Sequence, residues 1–301
     1  MPTTTEMTMP RASRADLLQP IRRAKWRSRN AGRVLRHWLS PSMDLAAARI
    51  ALELRRDGIT STRFADAFQG GEALWQEVNA EATRLWEEAT RGVVAHAEDN
   101  ASGYHAANKD YRAGLLPSSL SLENPFVKLA LDPRPLEAAS RYLGMEPLLR
   151  SIELWNDKPT TSAAKETQLW HKDGDDYMNV KAFVYFNDVD VRTGPFCYIP
   201  RTHPLGVRRD LRVEQGKGRS TDEQMERAMP QSSWRICTAP AGTVTFADTC
   251  GYHKGLKPSH NERLMLMIQY TSGLPHYPRT LQLVGQAADS LTPAQRLAIG
   301  G

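Results

Sequence analysis

Short stretches rich in β-branched and aromatic residues fill the second half of the chain, and turns containing Gly, Pro and Asp separate them. This pattern is typical of antiparallel strands in an all-β core. Strands are predicted over residues 148–156, 167–171, 180–186, 196–199, 235–238, 243–246 and 264–270. Strands of this kind close into a jelly-roll barrel.

The first half instead shows apolar residues at three- and four-residue spacing, which indicates helices. Helices are predicted over residues 42–57, 71–90 and 125–143, the last in two pieces, with a short strand at 59–62. Ser42 or Asp44 can cap the first helix and Gly58 can end it. The expected fold class is therefore mainly β with flanking helices.

The chain has 301 residues, of which 41% are apolar and 24% are charged, so we expect one globular domain behind an N-terminal arm. The expected divisions are the arm 1–41 and the domain 42–301, made of a helical part 42–145, a barrel 146–275 and a tail 276–301. A long polar insertion at 205–233 lies between two predicted strands. Because such insertions are usually functional or mobile, we expect it to form a lid.

Positive charge is concentrated near the N-terminus. Residues 11–36 contain nine Arg or Lys and one Asp, a net +8, whereas the whole chain carries +5. A basic helix is expected over 16–39, broken at Pro20, with an apolar patch around Trp38. Such helices can lie on anionic membranes or bind nucleic acid. We favour packing of the patch on the body; peripheral membrane contact by 11–39 stays open, and no nucleic acid is expected.

Three cysteines, at positions 197, 237 and 250, show no C-x-x-C spacing and cannot all pair with one another. The start of the chain lacks the apolar segment of a secretory signal, and no run of about 18 apolar residues could span a membrane. We therefore expect a cytoplasmic protein with free thiols. The sequence does not indicate an oligomeric state.

Candidate chemistry begins at Trp170-His171-Lys172-Asp173-Gly174 and resumes at His253. His171 and Asp173 are two residues apart, so on a strand their side chains share one face. Together with His253 they offer two imidazoles and one carboxylate, which occupy one face of an octahedral Fe(II) and leave three positions open. This ligand set predicts a non-haem iron oxygenase.

Arg263 opens an apolar strand ten residues after His253. A guanidinium buried there can hold a carboxylate by two parallel hydrogen bonds, as a diacid that chelates iron at its other end requires. The alternative is an ordinary ion pair with the adjacent Glu262. The alternating burial expected of the strand favours a side chain that points into the barrel.

Four segments carry a resemblance to a known family: WHKDGDD, FVYFNDVDVRTGPFCYIPRTHPLG, AGTVTFADTCGYHKG and NERLMLMIQY. In this order they resemble the phytanoyl-CoA dioxygenase family of Fe(II)/2-oxoglutarate-dependent oxygenases, over roughly residues 45–275. The resemblance implies a double-stranded β-helix and the cofactors Fe(II), 2-oxoglutarate and O₂. It also implies hydroxylation of an unactivated C–H of a small-molecule or lipid-like substrate, with release of succinate and CO₂.

The same resemblance places Asn156 and Gln168 in the 2-oxoglutarate pocket. One departure concerns Gly255, where the family often has a hydroxyl residue two positions after the distal His. Lys254, Lys257 and Thr245 are candidate replacements for that contact to the co-substrate. Related iron halogenases lack the carboxylate ligand, so Asp173 indicates oxygen transfer instead of halogenation.

Substrate contacts are predicted at four positions. Tyr104 and Lys109 lie in a polar, loop-like stretch at 91–120, where loops of a barrel mouth bind substrates. Asp175 follows the H-x-D pair and is expected to orient Lys172, the backbone or the substrate. Arg208 belongs to the insertion and could meet an anionic substrate, although a solvated loop is an equally good interpretation.

Two other interpretations stay open. A metal enzyme with the same jelly roll could act without 2-oxoglutarate, although it would not need Arg263. A binding protein recruited by the arm would not need His171. Within the oxygenase class, desaturation, epoxidation and ring formation would use the same three ligands.

Overall fold

The computed structural model describes residues 14–40, 44–92, 110–117, 119–285 and 291–300. The helices are α1 Arg14–Arg29, α2 Ala31–Leu39, α3 Leu45–Asp57, α4 Phe64–Ala67, α5 Gly71–Thr90, α6 Pro125–Ala130, α7 Pro133–Leu143, α8 Asp222–Ala228 and α9 Pro293–Ala298. The strands are β1 Ile59–Arg63, β2 Arg112–Gly114, β3 Ser119–Ser121, β4 Leu148–Asp157, β5 Val180–Tyr185, β6 Phe196–Tyr198, β7 Arg235–Ile236, β8 Thr243–Ala247, β9 His253–Gly255, β10 Arg263–Thr271 and β11 Gln282–Val284.

Two antiparallel sheets form the core. The major sheet has six strands in the order β1-β8-β5-β10-β4-β2, and the minor sheet has three in the order β7-β6-β9. A separate parallel pair joins β3 to β11. The fold is thus mainly antiparallel β with flanking helices, as the sequence predicts, although the described strands do not close into a complete barrel.

The alternation of side chains along β10 separates two hydrophobic clusters. Leu264, Leu266 and Ile268 pack with the helices on the outer face of the major sheet. Met265 and Met267 point the other way and pack with residues of β5, β6 and β8 between the two sheets. All nine residues of β10 are buried, because both faces of this central strand are covered.

The segment before His171 is not the regular strand that the sequence predicts. Residues Glu166–Gln168 form a 3₁₀ turn, and only Trp170 and His171 pair with other strands, through single bridges to Ser220 and His253. These bridges extend the minor sheet by one short chain on the far side of β9. The sequence therefore located this β segment correctly but predicted more strand pairing than the structure has.

Several predicted helix boundaries hold. The helix predicted over 71–90 is α5 at the same bounds, and the stretch 125–143 forms two helices, α6 and α7. Asp44 caps α3 by accepting a hydrogen bond from the backbone N–H of Ala47 (2.8 Å), whereas Ser42 lies outside the described residues. Gly58 ends α3 with φ of 79°, a conformation that favours glycine.

The basic arm differs from its prediction in two ways. Pro20 lies inside α1, and the break falls at Asn30 instead. The arm packs on the body through Trp26, whose indole N–H donates to Asp176 (2.8 Å) and whose ring lies 5.5 Å from that of Tyr177. Within the apolar patch, Val34 packs against the core, whereas Leu35, Trp38 and Leu39 are 59–73% exposed.

The insertion at 205–233 does not form the predicted lid. Its Val213 and Met225 are buried against Trp170 and Tyr252 on the outer face of the minor sheet. Trp170 also donates its indole N–H to Asp222 at the start of α8 (2.8 Å). The insertion therefore covers the back of the minor sheet, and only its hairpin turn comes level with His171, where Ser220 bridges Trp170.

Candidate metal centre

Neighbouring segments of the minor sheet carry the three predicted metal ligands. His171 and His253 exchange backbone hydrogen bonds of 3.0 and 2.9 Å, so their side chains lie opposite each other. The backbone N–H of Asp173 donates to the carbonyl of Thr249 (2.8 Å), which ties the turn after His171 to the segment before β9. Local pairing thus brings together residues that are 82 positions apart along the chain.

One candidate ligand atom from each of His171, Asp173 and His253 lies within 4.8 Å of the others. The Nε2 atoms of His171 and His253 are 3.6 and 3.7 Å from the two carboxylate oxygens of Asp173, and the ring centroids are 4.2 Å apart. Such a triangle is small enough for one first-row metal ion, whose bonds to nitrogen and oxygen are about 2.0–2.2 Å long. Both imidazoles are buried.

The opposite ring nitrogen of each imidazole has a fixed partner. Nδ1 of His171 lies 2.8 Å from the carbonyl of Leu169, and Nδ1 of His253 lies 3.0 Å from the carbonyl of Gly251. Because a carbonyl oxygen only accepts, Nδ1 carries the proton in each ring. The Nε2 lone pairs are therefore left for a metal, which is the usual second-shell arrangement of ligating histidines.

The electrostatics of the triad suit a cation. Burial lowers the pKa of His171 well below 6.5 and that of His253 below 6.5, so both rings are neutral near pH 7. Burial opposes ionisation of Asp173, but its charged surroundings, the ammonium of Lys181 foremost, outweigh it and hold the pKa of Asp173 well below 3.8. Two neutral imidazoles and a carboxylate are the protonation states that a divalent metal requires.

Lys181, on β5, is a contact that the sequence analysis missed. Its ammonium donates to one oxygen of Asp173 (2.7 Å) and lies 3.8 Å from Asp175. It is buried, and its side chain reaches the triad from the inner face of the major sheet. The apolar run 180–186 gave no sign of this role beyond a lysine within a buried strand.

A second buried charge cluster surrounds Arg263. Its guanidinium donates to Asp157, its cross-strand partner on β4, and to the carbonyl of Gly194. Arg112 donates two hydrogen bonds to the same carboxylate, at 2.5 and 3.0 Å. Burial opposes ionisation of Asp157, but the two guanidinium groups outweigh it and lower its pKa.

This cluster has an excess of positive charge, because two guanidinium groups share one carboxylate. The Nε atom of Arg263 is buried without a hydrogen-bond partner among the described residues. A Cβ added to Gly255 would lie 3.1 Å from the guanidinium, so Arg263 sits directly against the strand that begins with His253. A buried site with a net charge of +1 and an unused donor suits an anion such as a carboxylate.

The structure separates the two other predicted co-substrate residues. Gln168 is buried, accepts from the backbone N–H of Lys165 (3.2 Å) and has no partner for its amide Nε2 among the described residues. Asn156 instead projects from the helix side of β4 and donates to Glu262 (2.7 Å). The structure therefore does not bring Asn156 to the Arg263 side of the sheet.

None of the three candidate replacements for the missing hydroxyl at Gly255 contacts Arg263 in the described residues. Lys254 pairs with Asp222 at 2.5 and 2.7 Å on the outer face of the minor sheet. Lys257 donates to two backbone carbonyls, and Thr245 lies 3.0 Å from the hydroxyl of Ser61. We find no second side-chain donor for the far carboxylate among them.

The predicted substrate contacts are scattered. Asp175 is buried in a polar network in which Gln269 donates to it (2.8 Å) and Arg150 lies 3.6 Å away. Arg208 is exposed on the turn after β6. Tyr104 and Lys109 lie outside the described residues.

A cavity of about 490 Å³ lies between α1 and the segment that carries Asp173. The basic residues of α1 that line it are Arg22, Lys25 and Arg29. The arm therefore borders the metal-binding segment instead of extending away from it. Among the described helices, none is both long and apolar enough to cross a membrane.

Comparison with protein-family models and with curated proteins finds no match. Solved structures share the fold. AviO1 from Streptomyces viridochromogenes Tue57 is 15% identical, with a TM-score of 0.53 over 79% of this chain and 100% of that chain. EctD from S. alaskensis with bound Fe is 17% identical, with a TM-score of 0.50 over 82% and 85%. The non-haem α-ketoglutarate-dependent carbocyclase SnoK from nogalamycin biosynthesis is 15% identical, with a TM-score of 0.50 over 80% and 90%.

These similarities support the predicted jelly-roll fold, since sequence identity this low is evidence of fold alone. The expected cofactors agree with two of these proteins, one solved with iron and one dependent on α-ketoglutarate. Membership of the phytanoyl-CoA dioxygenase family stays a prediction, because no family model matches.

Proposed function

We propose that this protein is an Fe(II)/2-oxoglutarate-dependent oxygenase. His171, Asp173 and His253 would hold the iron, and Arg263 would bind the far carboxylate of 2-oxoglutarate. The bound metal and co-substrate supply activation of O₂ for oxidation of a C–H bond, with release of succinate and CO₂. The observation that carries the proposal is a triad in which both imidazoles keep their Nε2 lone pairs for a metal. One of its members, His253, lies two residues before Gly255, the glycine that faces Arg263.

The surrounding residues have distinct roles in this proposal. The carbonyls of Leu169 and Gly251 fix the two imidazoles in one tautomer. Lys181 holds one oxygen of Asp173 and would leave the other oxygen available to the metal. Asp157 and Arg112 orient the guanidinium of Arg263 and keep one excess positive charge for the incoming carboxylate.

Hydroxylation of a small-molecule or lipid-like substrate is our preferred outcome. The chemistry of the solved neighbours is varied, since one is described as a non-haem monooxygenase, ThoJ, and another as a carbocyclase. Desaturation, epoxidation and ring formation therefore stay as alternatives within the same proposal.

The arm raises a separate question of partners. On α2, Leu35, Trp38 and Leu39 are 59–73% exposed and lie close to basic side chains. An exposed apolar patch with neighbouring cations is typical of a peripheral membrane contact. We therefore keep membrane association of 11–39 as a proposal, which vesicle co-sedimentation of wild type and Trp38→Ser would test.

The first experiment measures 2-oxoglutarate binding to anaerobic, Fe(II)-loaded protein through the charge-transfer absorption of the chelate, and then succinate formation when O₂ is admitted. Wild type should bind 2-oxoglutarate, and the variants His171→Ala and Arg263→Gln should bind it weakly or not at all. His260→Ala is the matched control, because this exposed histidine lies outside the triad. Failure of metal-loaded wild type to bind 2-oxoglutarate would contradict the proposal.

A further inference from the structure

Arg219 stands at the end of a tight hairpin in the insertion. Gly216 and Arg219 exchange backbone hydrogen bonds of 2.8 and 3.1 Å, and Lys217 and Gly218 between them have φ of 52° and 77°. Two successive positive φ values are typical of a type I′ turn, the turn that matches the twist of a two-stranded hairpin. The turn fixes the backbone direction at Arg219.

The next residue fixes its register against the metal-binding strand. Ser220 and Trp170 exchange two backbone hydrogen bonds of 2.9 Å. In an antiparallel pair the neighbours on either side also face each other, so Arg219 lies opposite His171. Residues opposite each other project from the same face, and His171 in turn is opposite His253. Arg219, His171 and His253 thus form one row on the inner face of the minor sheet.

Part of the guanidinium of Arg219 lacks a hydrogen-bond acceptor. Arg219 is half-buried, and its Nη1 atom is buried without a hydrogen-bond partner among the described residues. Leaving a charged donor desolvated and unpaired is costly, so such a group indicates a ligand that supplies the acceptor. The metal itself cannot be that ligand, because both are cations.

We propose that Arg219 binds an anionic group of the substrate, a carboxylate, phosphate or sulfate, beside the metal. This inference rests on the proposed oxygenase function and names the substrate class for it. The co-substrate has its own cation at Arg263, which lies beyond His253 against Gly255. Arg219 lies on the other side, beyond His171, so the two guanidinium groups flank the triad and can receive two different anions.

The experiment uses full-length, anaerobic, Fe(II)-loaded protein with saturating 2-oxoglutarate. Benzoate, phenyl phosphate and phenyl sulfate serve as anionic probes, and benzyl alcohol is the neutral probe. Binding is measured by calorimetry and by the change that each probe causes in the charge-transfer absorption of the chelate. The variants are Arg219→Gln and, as the matched control, Lys217→Gln, which removes an exposed cation from the same turn.

At least one anionic probe should bind wild type more tightly than benzyl alcohol does. Arg219→Gln should weaken the binding of that anion by at least about tenfold, because hydrogen bonds to a charged partner are lost. The affinity for benzyl alcohol should stay unchanged. Lys217→Gln should change the affinity for either probe by less than about twofold. The preferred anion among the three distinguishes carboxylate, phosphate and sulfate substrates.

Three outcomes of the probe measurements would overturn the inference. They are equal binding of the anions by wild type and Arg219→Gln, no binding of any anion by wild type, and an equal loss in Lys217→Gln. A weaker 2-oxoglutarate complex in Arg219→Gln would also overturn it, since Arg219 would then serve the co-substrate. Failure of the proposed function itself looks different, because wild type would show no 2-oxoglutarate chelate before any probe is added.

Discussion

The two faces of the major sheet contain neighbouring residues of the same strands but differ in chemistry at the end that holds Asp157 and Arg263. On the helix side, Leu154, Leu264 and Leu266 are buried among apolar side chains. On the inner side, Asp157 and Arg263 are equally buried but charged. At this end of β4 and β10, a change of one position therefore moves from hydrophobic core to candidate active site.

This contrast has an energetic meaning. Apolar burial stabilises the fold by roughly 25 cal/mol per Å², whereas buried ion pairs contribute little net stability because desolvation opposes their attraction. Charged groups that persist on a fully buried face therefore need a reason other than stability. We infer that the helix face determines whether the chain folds and the inner face determines what it binds.

The largest effect is expected at the metal ligands. His171→Ala should weaken Fe(II) binding by more than about a hundredfold, since changes to residues that merely support ligands already cost about 10- to 100-fold. The free energy of unfolding of the metal-free protein should change much less. Metal titration and urea denaturation of the same preparations check both parts, and unchanged metal affinity would remove His171 from the ligand set.

Arg263→Gln should have the next largest effect. Loss of a buried charged partner costs about 2–5 kcal/mol, so 2-oxoglutarate should bind about 30- to several thousand-fold more weakly. Metal affinity should stay within about threefold, because Arg263 touches no metal ligand in the described structure. Equal 2-oxoglutarate affinity in the variant would show that the Asp157 ion pair is the only task of this arginine.

Leu266→Ala makes the matching change on the other face of β10. Leu266 is fully buried, so the truncation should lower the free energy of unfolding by about 2–5 kcal/mol. Affinities for metal and 2-oxoglutarate should be unaffected at temperatures where the variant is folded. A large loss of 2-oxoglutarate affinity in the folded variant would break the proposed division between the faces.

His203 is a buried histidine outside the triad, and it allows the acid sensitivity of the fold to be measured in the metal-free protein. Burial lowers the pKa of His203 to about 4. Because the unfolded chain binds this proton near pH 6.5, folding is favoured above pH 6.5, and this contribution is lost as pH falls from 6.5 to 4. The difference in the free energy of unfolding between wild type and His203→Gln should therefore shrink by about 3 kcal/mol as pH falls over that range. A constant difference in denaturation experiments would refute this assignment.

The sequence predicted the features that depend on local spacing. The i, i+2 relation placed His171 and Asp173 together, and the apolar run after Arg263 gave a central strand. It missed Lys181 and Asp157, because their charged partners, Asp173 and Arg263, are brought close to them only by the tertiary fold. Pro20 was expected to break a helix, and the contact between Trp26 and Asp176 shows how tertiary packing can override that local preference.

The smallest effect is expected at Asn156, where the family resemblance and the register of β4 disagree most directly. Its side chain lies on the helix face, and Glu262, its partner, also accepts from Trp86 (3.1 Å). Asn156→Ala should therefore cost only about 1 kcal/mol of stability and leave 2-oxoglutarate affinity within about twofold. Calorimetric titration of wild type, Asn156→Ala and Arg263→Gln in parallel decides the matter. If Asn156→Ala weakened the binding of 2-oxoglutarate as strongly as Arg263→Gln does, the co-substrate would contact both faces of one sheet. The proposed division of roles between the two faces would then be wrong.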